Sequence, residues 1–289
     1  MTNAAMLAEP EPDDAPSIET PSGKNAGTEN FPVGSWLIRP DLRQHVHAFY
    51  RFARTADDIS DNPLLEPAEK LTLLQRFRDV LNGMDDDAAP AAMGMRASLQ
   101  QSGVSAQHCH DLLTAFCRDA TQLRYRDWDD LLDYCRYSAS PVGRYVLALH
   151  GIGEQAWPTN DALCSALQII NHIQDCADDY RELDRVYIPA DMLAARGADI
   201  AMLAAARSPA PLRATLTDML DKMGPMMREA RALPHHVPDL RLKLETAVIA
   251  SLADRLIAML RRRDPLCDNV KLGKAGKIIA ALRGCCRAW

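Results

Sequence analysis

Residues 49–61 place basic and acidic side chains at spacings that suit ion chemistry on one face of a helix. The stretch contains no Gly or Pro and is rich in Ala, Arg and Phe, which favours a helix. Side chains three and four positions apart share a helix face, so one side carries Tyr50, Arg54, Asp57, Asp58 and Asp61. Clustered carboxylates repel unless a cation neutralises them, and such oxygen ligands suit Mg²⁺. A solvated helix end would show the same pattern, so this stretch alone leaves both interpretations open.

A second acidic stretch, at residues 167–180, favours the metal interpretation. Asn171, Asp175 and Asp179 fall at i, i+4 and i+8, which predicts one polar stripe along one helix. Like charges at i and i+4 destabilise an isolated helix, so Asp175 and Asp179 are better explained if a cation sits between them. Two such stripes that face each other across a helical bundle would hold a Mg²⁺–diphosphate group.

The two acidic stretches and a segment between them resemble the squalene/phytoene synthase family of head-to-head prenyl synthases. Residues 50–61 are similar to the family's first aspartate-rich motif, and residues 171–189, which end in the letters RVYIP, are similar to its second. Residues 134–144, with the letters YCRYSASPVGR, resemble a helix of the family, although Ser138-Ala139-Ser140 stands where Val-Ala-Gly is usual. The resemblance covers roughly residues 29–270.

Together with the letters ENFPVGS at residues 29–35, these segments are most similar to the hydroxysqualene synthase branch of bacterial hopanoid pathways. That resemblance implies an isoprenoid synthase fold, bound Mg²⁺, presqualene diphosphate as substrate, and one placed water that captures the carbocation. Other members of the family would instead make presqualene diphosphate from farnesyl diphosphate, or make squalene or phytoene. A non-catalytic helical partner within a lipid-synthesis complex is a reading from another class, and the presence of every motif carboxylate disfavours it.

The resemblance also implies roles for single residues. The groups that would hold Mg²⁺ are Asp57, Asp61, Asn171, Asp175 and Asp179, with Asp58 and Asp178 as neighbouring alternates. The groups that would act at the reaction site are Tyr50, Arg54, Tyr134, Arg185 and Tyr187, of which Tyr50, Arg54 and Arg185 would steady the leaving diphosphate. Ser35 resembles a serine that contacts diphosphate in the family, although a helix cap or turn would use a serine equally well. Gly143 is expected to let another backbone approach closely.

Composition argues against several other classes of protein. The formal net charge is -6 and the sequence pI is 5.8, which argues against nucleic acid as a partner. The eight cysteines include no C-x-x-C pair, so we expect reduced thiols in a cytoplasmic protein rather than a zinc site. Neither a secretory signal nor a run of about 18 apolar residues is visible.

Helical periodicity predicts an all-α protein with a single-domain bundle around a central cavity. Residues 1–28 are rich in Pro, acidic and small polar residues and are predicted to be disordered, whereas residues 29–289 form the helical domain. Few stretches alternate with a period of two, so no sheet is expected. Helix breaks are predicted at Gly197 and at Gly224-Pro225.

The C-terminal tail reads as a basic amphipathic helix. Lys271, Lys274 and Lys277 recur every three residues, and the apolar residues among them are Leu272, Ile278, Ile279 and Leu282. This pattern is typical of peripheral contact with an anionic membrane surface. The alternative is that these apolar side chains pack on the bundle, and Gly273 and Gly276 weaken the helix in either case.

Overall fold

The computed structural model describes residues 38–84 and 89–287, and within these ranges the regular elements are helices. The only β-type contact in the same ranges is an isolated bridge between Arg124 and Val186. The all-α prediction is therefore confirmed. Residues 1–28 and Ser35 lie outside the described residues, so the predictions made for them stay predictions.

The first four helices share one hydrophobic core. They are α1 (Arg43–Asp61), α2 (Pro67–Leu81), α3 (Pro90–Ser102) and α4 (Gln107–Asp119). Phe52 of α1 stacks on Phe77 of α2 with ring centroids 4.9 Å apart, and both side chains are fully buried. Because this core takes the apolar face of α1, the polar face of α1 is left to face the rest of the bundle.

The later helices surround a second and larger core. They are α5 (Trp128–Ser138), α6 (Ser140–Leu149), α7 (Trp157–Gln174), α8 (Cys176–Leu183), α9 (Ala190–Ala195), α10 (Ala210–Ala230) and α11 (Leu240–Leu260), whereas the last helix, α12 (Lys274–Arg287), packs on α11. α6 connects the two cores, because Tyr145 stacks on Phe49 of α1 at 4.1 Å while Leu147 is buried in the second core.

The second acidic stretch forms two helices, whereas the sequence predicts one. α7 ends at Gln174 and α8 begins at Cys176, with Asp175 between them at φ −103° and ψ 8°. The cause is tertiary packing: α7 packs against α6 and α10, whereas α8 packs against a short 3-10 helix, Ile200–Ala204. Two i, i+4 hydrogen bonds flank the junction: the Asp175 N–H donates to the Asn171 carbonyl at 2.9 Å, and the Asp179 N–H donates to the Asp175 carbonyl at 2.8 Å. The polar stripe therefore survives the break.

α10 runs without interruption through Gly224-Pro225, so the predicted break there is wrong. The buried face of α10 carries Met219, Met223 and Met227 at i, i+4 and i+8, and their packing holds the helix together. Pro225 lies on the exposed face of α10. Because proline has no N–H, the carbonyl four residues earlier receives no hydrogen bond from it, but on this face that carbonyl is close to water. The break predicted at Gly197 is present, and the φ of this residue is 63°.

All eight cysteines lie within the described residues and are free. Burial raises the pKa of Cys109 and of Cys135 to about 12, so these thiols stay protonated and pack as small apolar side chains. Within residues 38–84 and 89–287, no helix combines the length and the hydropathy needed to cross a membrane.

Candidate active site

A cavity of about 540 Å³ is lined by residues of both halves of the bundle. Most of its wall is apolar, and representative side chains are Phe116, Val146, Leu163, Leu167 and Ile249. The remainder of the wall contains both acidic stretches. Its volume is in the range of small-molecule sites, and its lining suits a ligand with a hydrocarbon body and a head group that binds through a cation.

The first acidic stretch divides between the cavity and the protein interior. Tyr50, Arg54, Asp57 and Asp61 line the cavity. Asp58 is buried behind them, with 8% of its surface exposed, and its Oδ1 accepts a hydrogen bond from Arg54 Nε at 2.9 Å. The same guanidinium lies 3.0 Å from Asp57 Oδ2, through Nη1. Arg54 therefore holds Asp58 as a structural partner and keeps Asp57 at the cavity surface.

The second acidic stretch presents Asn171, Asp175 and Asp179 to the same cavity. The stripe predicted from the i, i+4, i+8 spacing thus reaches the cavity despite the break between α7 and α8. The neighbouring Asp178 faces solvent, with 64% of its side chain exposed, and pairs with Arg181 at 2.5 Å. Of the two alternates, neither Asp58 nor Asp178 lines the cavity.

The electrostatics of the cavity fit a bound cation. Burial raises the pKa of Asp57 to about 8, repulsion from Asp61 adds to the rise, and Arg54 opposes it. Burial also raises the pKa of Asp179 to about 8, with further repulsion from Asp175 and then from Asp61. Asp61 therefore acts on carboxylates of both stretches, which face each other across the cavity. A cation would relieve the cost of ionising them.

This donor set suits Mg²⁺ that is bound together with a diphosphate. Among the described residues, no group of three or more His, Cys, Asp or Glu side chains forms a metal site by itself. Mg²⁺ is usually held by one or two carboxylates, several waters and substrate phosphates, rather than by a closed protein cage. Carboxylates on opposite walls of one cavity match that mode of binding.

Arg185 links the two acidic stretches. Its side chain is buried, and its Nη1 donates to Asp61 Oδ1 at 2.6 Å. Nη2 donates to the Ser60 carbonyl at 3.2 Å, and Nε donates to the Asp119 carbonyl at 3.1 Å. Every guanidinium nitrogen thus donates one hydrogen bond to the protein. A contact with diphosphate would use the N–H groups of Nη1 and Nη2 that are not engaged in these bonds. The residue is placed to hold Asp61 in position.

Tyr134 and Tyr187 meet at a carboxylate that has no motif in the sequence. The Tyr134 hydroxyl donates to Asp119 Oδ2 at 2.9 Å, and the Tyr187 hydroxyl donates to Asp119 Oδ1 at 3.2 Å. Burial raises the pKa of Asp119 to about 6, an effect opposed by Arg185. The ring of His172 stacks on that of Tyr187 with centroids 3.6 Å apart. Two tyrosine rings and an imidazole are thereby fixed at the cavity wall.

The polar cavity residues that escaped sequence reasoning include Asp119, Asn160, His172 and Glu245. Asp119 could have been found, because it falls on the apolar face of α4 seven residues after Leu112 and is 4% exposed. His172 carries a buried Nε2 without a hydrogen-bond partner, and burial lowers its pKa to about 3, so the ring is neutral. Glu245 of α11 is 5% exposed and follows no recognisable motif.

Gly143 makes room for a side chain, not for a backbone as the sequence predicts. A Cβ atom at this position would lie 2.0 Å from Asn160 Oδ1 and 2.7 Å from Cys164 Sγ, both on α7. Such distances are far below van der Waals contact, so any larger residue here would displace the Asn160 side chain. Asn160 occupies that space and donates to the Ser140 carbonyl at 3.3 Å, which joins α7 to the start of α6.

Comparison of the sequence with known proteins gives a family model and relatives that agree with each other. Residues 24–275 match the family model described as squalene/phytoene synthase. The chain is 44% identical over 263 residues to the hydroxysqualene synthase of Rhodopseudomonas palustris, covering 91% of this chain and 90% of the relative. It is 46% identical over 244 residues to the hydroxysqualene synthase of Sinorhizobium fredii, covering 84% and 83%.

Solved structures agree with the fold. The crystal structure of squalene synthase HpnC from Alicyclobacillus acidocaldarius matches with a TM-score of 0.69 and 30% identity, covering 80% of this chain and 87% of that one. A dehydrosqualene synthase in complex with ligand matches with a TM-score of 0.73 over 90% of this chain and 91% of that one. Its identity is 22%, so it speaks for the shared fold alone.

Proposed function

Because the chain belongs to the squalene/phytoene synthase family, we propose that it converts presqualene diphosphate and water into hydroxysqualene and diphosphate. The observation that carries the proposal is the high identity, over most of the chain, to relatives named hydroxysqualene synthase. The cavity supports it, since an apolar wall next to facing carboxylates suits a long hydrocarbon joined to a diphosphate.

Five cavity residues are suited to hold Mg²⁺ with the diphosphate: Asp57, Asp61, Asn171, Asp175 and Asp179. When bound, Mg²⁺ would neutralise the negative charge that develops on the diphosphate as its C–O bond breaks. Arg54 and Tyr50 lie on the same face of α1 as Asp57 and can donate to diphosphate oxygens. Arg185 keeps Asp61 in orientation through the 2.6 Å bond.

The rest of the cavity would guide the carbocation. Apolar side chains exclude bulk water, so that the cation rearranges before it is captured. The rings of Tyr134, Tyr187 and His172 form one aromatic cluster in the cavity wall that would stabilise a nearby cation, and Asp119 fixes both tyrosines through their hydroxyls. Capture by one water then places that water's oxygen on the product, and its proton leaves to solvent.

Product analysis of the purified full-length chain tests the proposal. With presqualene diphosphate and Mg²⁺, and without NADPH, we expect release of an alcohol with the squalene skeleton. In a parallel reaction with farnesyl diphosphate, presqualene diphosphate as main product would instead assign the chain to a neighbouring branch of the family. Conversion of neither substrate would favour the non-catalytic alternative. The Asp175→Asn variant serves as the control for contaminating activity, since Asp175 lies in the cavity wall.

We also infer a protein of the cytoplasm whose C-terminal helix makes peripheral contact with a membrane. α12 forms over Lys274–Arg287 although it contains Gly276. Ile278 is 60% exposed and Leu282 is 64% exposed, so neither side chain is taken up by the bundle. Exposed apolar side chains beside lysines are typical of helices that lie at a lipid surface.

A further inference from the structure

The groove between α11 and α12 is lined by four arginines. This cavity of about 340 Å³ receives Arg255, Arg262 and Arg263 from α11 and its C-terminal end, and Arg283 from α12. Among the described residues that line it, Asp254 is the only acid, and Asp254 already pairs with Arg231 at 2.6 Å. The groove shares no lining residue with the acidic cavity described above. Its excess of positive charge therefore calls for an anionic ligand of its own.

One of these arginines has a buried donor without an acceptor. The Nε of Arg255 is inaccessible to water and has no hydrogen-bond partner. The Arg255 side chain reaches α12, because a Cβ at Gly276 would lie 3.9 Å from its Nη2. A buried N–H without an acceptor is costly, and an oxyanion in the groove would relieve that cost once the Arg255 side chain turns toward it. Phosphate oxygens, like carboxylate oxygens, match the planar donor fork of arginine.

Small residues attach α12 to α11, and this leaves its large apolar residues outside. Ala280 is fully buried, and a Cβ at Gly284 would lie 2.6 Å from the Val248 Cα of α11. The opposite face carries Ile278 and Leu282, which are four residues apart and so share that face. An amphipathic helix that packs on a protein normally buries such side chains. α12 does the reverse, which marks this face as a contact surface for an apolar phase.

The arginine groove and the exposed apolar side chains adjoin each other. Ile279 and Arg283 are four residues apart and share a flank of α12, and Arg283 lines the groove. Ile279 is 42% exposed, and Lys271, Lys274 and Lys277 are also exposed. The arginine groove and the lysines lie beside exposed apolar side chains. An anionic lipid monolayer likewise has negatively charged head groups next to a hydrocarbon layer, so the two surfaces are complementary.

We propose that the α11–α12 groove binds the phosphate of an anionic phospholipid while Ile278, Ile279 and Leu282 enter the acyl boundary of the same membrane. This inference rests on the peripheral contact inferred for α12 and names the lipid chemistry that it recognises. Lipid binding in the groove does not depend on the reaction in the acidic cavity, since the two sites have no lining residue in common. Its consequence is that the enzyme docks on the membrane by one defined face.

Vesicle co-sedimentation tests the charge half of the proposal. The full chain is mixed with phosphatidylcholine vesicles that contain or lack phosphatidylglycerol. The double variant R262Q/R283Q removes two exposed groove arginines, and R76Q/R136Q removes two exposed arginines of α2 and α5 with the same change in net charge. We expect binding only with phosphatidylglycerol, about 30-fold weaker binding for R262Q/R283Q, since each charge near the surface contributes roughly fivefold, and a control within about threefold of wild type.

A second pair of variants tests the apolar half. I278S/L282S should lose most vesicle binding, whereas L64S/M84S, which alters side chains that are 89% and 70% exposed elsewhere, should not. Native far-UV circular dichroism verifies folding. Equal binding to vesicles with and without phosphatidylglycerol, or wild-type binding by R262Q/R283Q, would overturn the proposal, as would binding of inorganic phosphate by a chain that ignores vesicles. The assay contains no substrate, so its result stands whichever product the enzyme makes.

Discussion

Arg185 donates to Asp61 across 2.6 Å and joins two residues that are 124 positions apart in the chain. The same guanidinium bonds to the carbonyls of Ser60 and Asp119, at the ends of α1 and α4. Three segments therefore meet at one buried cation. The orientation of Asp61 at the cavity wall depends on that meeting point, and so does the position of the Asp119 carboxylate that receives the two tyrosines.

Arg185→Lys should lower both stability and turnover. Lysine keeps the charge but has one nitrogen in place of three, so at least one buried acceptor loses its donor, at a cost of about 2 kcal/mol in the free energy of unfolding. We expect this loss in urea denaturation, together with a lower kcat/KM. Arg181→Lys is the control, because Arg181 is 59% exposed and should change stability by no more than about 0.5 kcal/mol. Equal effects of the two variants would contradict the bracing role of Arg185.

Asp179→Asn and Asp178→Asn separate the cavity from the surface of the same helix. The two residues are adjacent, but Asp179 lines the cavity whereas Asp178 is 64% exposed and pairs with Arg181. We expect kcat/KM to fall about 100-fold or more for Asp179→Asn, because a carboxylate that acts on transition-state charge is lost, and to stay near wild type for Asp178→Asn. A similar loss in both variants would show that the contribution is not local to the cavity.

Helical spacing groups the charged residues that the structure places in one cavity wall. Asp57 and Asp61, and the triad Asn171, Asp175 and Asp179, all reach one cavity as helical periodicity requires. Periodicity could not tell which of the adjacent residues Asp57 and Asp58 faces the cavity. That depends on how α1 is rotated about its own axis, and the hydrophobic core on the other side of α1 sets this rotation.

Features that depend on partners far along the chain were not predictable. The place of Asp119 on the apolar face of α4 could be read from helical spacing, but its role could not, because that role comes from two tyrosines of later segments. The space beside Gly143 is taken by Asn160 of the next helix, whereas the sequence shows only a glycine. Gly224-Pro225 reads locally as a break, but the packing of α10 through residues such as Met223 outweighs the local preference.

The stability of the metal-free protein should depend on pH through Asp57. Its pKa is raised from the ordinary 3.8 to about 8, chiefly by burial, so between these values the folded state holds a proton that the unfolded state releases. The contribution of Asp57 to stability therefore falls as pH rises from about 4 to about 8. Asp57→Asn cannot titrate, so in EDTA the free energy of unfolding of the variant minus that of wild type should increase from pH 5 to pH 8. A difference that is constant or decreases would contradict the raised pKa.

Two substitutions of Tyr187 distinguish its ring from its hydroxyl. Tyr187→Phe keeps the ring stacked on His172 but removes one donor to Asp119, so we expect a stability loss of about 1 kcal/mol and less than a tenfold fall in kcat. Tyr187→Leu also removes the ring from the aromatic cluster with Tyr134 and His172, and loss of about 2 kcal/mol of cation–π stabilisation would lower kcat roughly 30-fold. Equal falls in kcat for the two variants would rule out a role for the ring face.

Isotope labelling tests the central claim most directly, namely that the C–O bond of presqualene diphosphate ionises and that water captures the carbocation. The reaction is run with Mg²⁺ in H₂¹⁸O without NADPH, and the product is analysed by mass spectrometry. The account predicts an alcohol with the squalene skeleton whose oxygen carries ¹⁸O, released together with unlabelled diphosphate. An unlabelled alcohol that retains the presqualene skeleton, with ¹⁸O in the released phosphate, would show cleavage of the P–O bond and would contradict the account.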